Sequence, residues 1–104
     1  MNVFYDHLVN LQSLRPQLRL LLNDEAQVEE VLRELDHALH HVVMEVIFTA
    51  LPSHAHENFL LQFKSDPNNA RHLIFLRRYA PAIEDHIREA SEQSKQKFLD
   101  TIHV

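Results

Sequence analysis

The sequence predicts an all-α fold, a small single-domain bundle of about five helices over residues 1–104. Three observations carry this expectation. Apolar residues recur at spacings of three and four along most of the chain, which is the period of a helix with one buried face. Three of the four prolines stand between these periodic runs, where they act as helix stops and starts. There is no glycine, although about seven would be present at average usage, so the primed turns that favour tight hairpins are disfavoured.

The elements follow in order. Residues 3–22 carry Phe4, Leu8, Leu11, Leu14 or Arg15, Leu18 and Leu22 on one stripe, with Pro16 inside it. This predicts one element kinked or broken at Pro16, the kinked form being preferred. Residues 25–51 give the clearest pattern: Val28, Leu32, Leu35, Leu39, Val42 and Val46. Asp24 can cap this helix, with Gln27 completing a capping box, and Pro52 ends it. Ser53 can cap a short helix over 54–64. Asp66-Pro67 reads as a cap followed by a first-turn proline, opening a helix over 67–79. Pro81 opens the last helix, 81–102, with Ile83, Ile87, Ala90, Ser94, Phe98 and Ile102 inward. Its middle, "REASEQSKQK", offers only small residues to that stripe. Connections of one to three residues fold neighbouring helices back on one another.

Composition narrows the function classes. Apolar residues make up 45% of the 104, enough for one core. Without glycine, neither a Walker loop nor a dinucleotide-binding turn can form. Without cysteine there is no thiolate chemistry and no disulfide. The five serines lack a nucleophile-elbow setting, and paired acids such as Glu29-Glu30 stand on different helical faces. No enzymatic activity and no cofactor are therefore expected. No apolar run approaches the roughly 20 residues of a membrane span. "MNVFYDHLVNL" lacks the basic start and apolar core of a secretory signal, so a cytoplasmic location is expected. The net charge is −5: residues 1–63 hold three arginines against nine acids, and residues 64–104 hold seven cations against six acids. Charge alone does not indicate a nucleic-acid binder.

"RELDHALHHVVMEVI", residues 33–47, holds three of the nine histidines. On a helix His37 and His41 stand four apart with Glu34 and Glu45 on the same side, a set that can hold a divalent transition metal. Helical projection puts this side opposite the apolar stripe, so a solvated face is the expected reading and metal binding the alternative. A second copy related by a twofold could complete such a site. His7, His72, His86 and His103 are scattered singly and show no pattern.

Two further features point to partners. Arg71, Phe75 and Arg78 share one side of the fourth helix at i, i+4 and i+7, with Leu73, Leu76 and Ala80 opposite. Arginine and aromatic residues favour protein interfaces, and the trio can also stack on RNA or meet another acidic partner. Phe98 and Ile102, at the end of the last helix, either dock against Phe4 and Leu8 or engage a partner helix. The expected function is a non-enzymatic protein-interaction or assembly module acting through helix–helix contacts, with a protein partner or a second copy of itself.

Overall fold

Asp24 sets the start of the longest element. Its backbone is extended and its side chain accepts the N–H of Ala26 at 3.0 Å, a bond made to the second helical residue rather than to Gln27. From there a computed structural model, which describes residues 3–102, shows only helices and turns among those residues. The order is α1 (Asp6–Val9), a 3-10 turn (Leu11–Leu14), α2 (Arg15–Leu21), α3 (Glu25–Ala50), α4 (Ser53–Ser65), α5 (Arg71–Tyr79) and α6 (Ile83–Ile102). With the N-terminal pieces taken as one broken element, these are the five predicted helices.

The N-terminal element is broken rather than kinked: α2 begins at Arg15 with Pro16 in its first turn, and a further break falls at Asn10. Asn10 adopts φ 51°, ψ 55°, the left-handed region, and closes α1. Asparagine reaches this region at lower cost than other residues except glycine. Pro16 occupies the first turn of α2, where its missing N–H costs nothing. The predicted start at residue 67 also moves. Residues 67–70 form turns, and α5 begins at Arg71, whose N–H donates to the Asn69 side chain at 2.9 Å. α6 likewise begins at Ile83, after a turn at Pro81 and Ala82. Ser53 is the first residue of α4, with Pro52 at the cap position, so the serine does not cap it.

α3 spans 26 residues, about 39 Å at helical rise, and fixes the long axis of a molecule measuring 47 × 23 × 18 Å. α6 packs along it, α1 lies on α6, α2 on α3, and α5 touches both α4 and α6. Val28, Leu32, Leu35, Leu39, Val43 and Ile47 are the buried stripe of α3. Its C-terminal half thus turns Val43 and Ile47 inward, leaving Val42 and Val46 half-buried beside α6. A straight helix drifts relative to a fixed three-four spacing, and this drift explains the exchange. Met44 and Phe48 are half-buried on another side, so this half of α3 is covered more broadly than its first half.

Aromatic rings tie the pieces together. Phe59 of α4 stacks on Phe63 (6.0 Å, 9°) and on Phe75 of α5 (6.3 Å, 21°), and meets Phe48 of α3 edge-on (6.1 Å, 84°). Phe4 enters this cluster against Phe59 and Phe63, so it is committed to α4 rather than to the end of α6. The Phe4 N–H donates to the Pro67 carbonyl at 2.9 Å, fastening the N-terminal segment to the α4–α5 turn. At the surface, Arg15 and Arg19 pair with Glu25, and Arg15 also with Glu29, joining α2 to α3. Arg19, then Arg15, holds the Glu25 carboxyl below its usual range. These charges are solvated, so they orient α2 more than they stabilise it.

The inner stripe of α6 is Ile83, Ile87, Ser91 and Lys95, all buried, with Ala90 and Ser94 only half-buried. A lysine in a core stripe requires a partner, and Lys95 has two: the Val9 carbonyl at 2.7 Å and Glu92 at 2.6 Å.

Candidate functional site

α5 is nine residues long and strongly two-sided. Leu73 and Leu76 face the core and Ala80 is half-buried, as the spacing predicts. Arg71, Ile74 and Arg78 are exposed, and Phe75 is half-buried. One face of Phe75 is backed by Phe59, and Tyr79 tilts against it at 5.4 Å. Phe75 is thus in part a core residue, against Phe59, and in part a surface aromatic.

Across from this stripe runs α4. The two helices enclose a groove of about 820 Å³ lined by Leu61 and Gln62 on one wall and by Arg71, Ile74, Phe75 and Arg78 on the other. The predicted Arg–Phe–Arg trio thus lines a single groove. Sequence spacing did not reveal Leu61, which is 62% exposed, or Ile74, which is 52% exposed, as parts of the same surface. Leu61 joins it only through the packing of α4 on α5. Neither Arg71 nor Arg78 forms an ion pair among the described residues, whereas Arg77 pairs with Glu84 of α6. The end of the groove at Asp66 and Asn69 is fixed at three points. Phe4 N–H bonds to Pro67 O, the Asn69 N–H donates to Asp66 O at 3.2 Å, and His72 Nε2–H donates to the same carbonyl at 2.6 Å.

His72 carried no sequence pattern, yet it is buried among Phe4, Phe59 and Phe63. The available signal was its position four residues before Leu76 on the inner stripe. Its Nδ1 is buried without a hydrogen-bond partner.

The histidine-rich stretch divides in two. His37 and His41 are exposed, with their rings in edge contact at 4.9 Å, and Glu34 and Glu45 are exposed as well. Among the described residues, no three His, Cys, Asp or Glu side chains are grouped to hold one metal ion. His37 and His41 thus stand as a pair, with no third such side chain grouped with them among the described residues. His40 points another way. It is half-buried, stacked on Tyr5 (6.0 Å, 25°) and Phe63 (6.1 Å, 23°), and its Nδ1 is hydrogen-bonded to the Tyr5 hydroxyl. Burial pushes the Tyr5 phenol above its usual range, and Asp36 and Asp6 add to this. Burial also pushes the His40 imidazole down. Neighbouring His41 and His37 act in the same direction, while Asp36 opposes them.

This shift has a definite sign. The fold favours neutral His40, so the unfolded chain takes up a proton first as pH falls. The contribution is complete above the ordinary imidazole value near 6.5 and declines below it, through the lower folded value. Urea denaturation between pH 8 and 5 is expected to show stability falling below about pH 6.5, with a shallower slope in His40→Gln. Identical slopes in the two proteins would contradict this placement of His40.

At the other end, Phe98 is half-buried against the core. Ile102 closes α6, and its side chain lies outside the described residues, as does His103. Leu99 borders a smaller depression with Gln17, Leu20, Leu21, Gln96 and Asp100. Leu20 is 86% exposed, so this is a second apolar surface, though the nearby Arg19 is held by Glu25.

No helix among the described residues is long and apolar enough to cross a membrane. No protein-family model, curated protein or solved structure matches the chain.

Proposed function

We propose that this chain is a non-enzymatic protein-interaction module whose docking face is the α4–α5 groove. One observation carries the reading: two arginines without acidic partners, a half-buried phenylalanine and two largely exposed aliphatic residues, Leu61 and Ile74, gather on one concave surface. Leaving Leu61 and Ile74 in water costs free energy that a partner would recover, and Arg and aromatic side chains anchor interfaces. The floor is rigid, because Phe59 backs Phe75 and the turn at its end is tied down by Phe4 and His72. A preformed surface loses less conformational entropy on binding.

The test is a photo-reactive amino acid placed at Ile74 in the full chain and irradiated in cells. A covalent adduct with a protein segment, lost when Arg71 and Arg78 are both changed to Glu, is the expected outcome. An adduct with nucleic acid, or none, contradicts the reading.

A further inference from the structure

We infer that the occupant of the α4–α5 groove is an acidic amphipathic helix bearing carboxylates seven residues apart with two apolar residues between them. This rests on the groove being a docking face and goes on to specify what fits it. Arg71 and Arg78 are two helical turns apart, about 10.5 Å along α5. Between them stand Ile74 and Phe75, with Leu61 on the opposite wall. The surface is therefore a cation, an apolar centre and a second cation, laid out over two turns. A helix laid along it presents acids at i and i+7 to the two guanidiniums and apolar side chains at i+3 and i+4 to the centre. Each guanidinium can make charge-assisted, bidentate bonds to a carboxylate.

A nucleic acid fits less well. Phosphate recognition draws on many cations, and here only two flank an apolar wall that a phosphate backbone cannot use. One face of the single aromatic is already occupied by Phe59. A second copy does not supply the pattern either. Only two acid pairs in this chain are seven apart, Glu29 with Asp36 and Asp85 with Glu92. They enclose Leu32-Arg33 and Arg88-Glu89, each with a cation where an apolar residue is needed. The occupant is thus not a second copy of these residues.

The experiment uses a fluorescein-labelled, alanine-based helical peptide with Glu at i and i+7 and Leu at i+3 and i+4, titrated with the full chain and followed by anisotropy. Tighter binding of this peptide than of one with its acids at i and i+5 is expected. The double variant R71E/R78E weakens binding at least tenfold and instead binds a peptide with Lys in place of Glu. Both arginines are exposed, so the variant keeps the helical circular dichroism of the parent. Ile74→Glu, which leaves both cations in place, also weakens binding at least tenfold. Equal affinity for the two spacings, failure of the charge exchange, or tighter binding of an oligouridylate overturns the inference. If the acidic peptide fails while the cross-linker at Ile74 still captures a protein, the partner chemistry is wrong and the docking face stands. If both fail, the docking face is wrong.

Discussion

Phe59→Ala is expected to lower the free energy of unfolding by about 3–5 kcal/mol. Phe59 has no exposed surface and touches four other aromatic residues and His72, which come from the N-terminal segment, α3, α4 and α5. Removing the ring leaves a cavity whose walls are themselves rings, fixed by their own contacts, so collapse around it is incomplete. A domain of this size is held by roughly 5–15 kcal/mol, so the variant would retain little stability at 37 °C. Urea denaturation measures the loss directly, and Phe59→Leu should cost less because it refills most of the volume. A loss below about 1 kcal/mol would show that the aromatic cluster does not join these helices as described.

The second large effect is expected at Lys95. Lys95→Ala should cost about 2–4 kcal/mol by the same measurement. The ammonium donates to Val9 O, the last carbonyl of α1, where the chain turns through Asn10. Its aliphatic stem fills a position on the inner stripe of α6. Truncation removes both the donor and the stem. Lys95→Met separates them, since it keeps the stem and abandons the carbonyl, and should cost about 1–3 kcal/mol. A methionine variant as stable as the parent would mean that the hydrogen bond contributes nothing beyond offsetting the desolvation of the charge.

The sequence was most readable where one face of an element decides its fate. α3 could be drawn from its leucine spacing, Asp24 and Pro52, because burial on a single side writes a periodic signal. The Arg71–Phe75–Arg78 side of α5 was readable for the same reason. Positions decided by distant segments were not. Asn10 carries a further N-terminal break in a conformation that its residue type permits but does not announce, whereas Pro16 marks the start of α2. Lys95, His40 and His72 are polar residues whose burial depends on Val9 O, Tyr5 and Asp66 O, groups that come near only after folding. Leu61 belongs to the groove by tertiary packing alone. Spacing along one helix cannot say which residue of another helix will stand opposite.

Among the described residues, Leu61 and Ile74 stand in water beside arginines that form no ion pair, and Leu20 stands in water without such neighbours. The most direct measurement is therefore a comparison of photo-cross-linking in cells with the reactive side chain at position 74 or at position 20. An adduct with an acidic protein segment is expected from position 74, and none of that kind from position 20. Capture of that partner from position 20, with position 74 silent, would contradict this expectation.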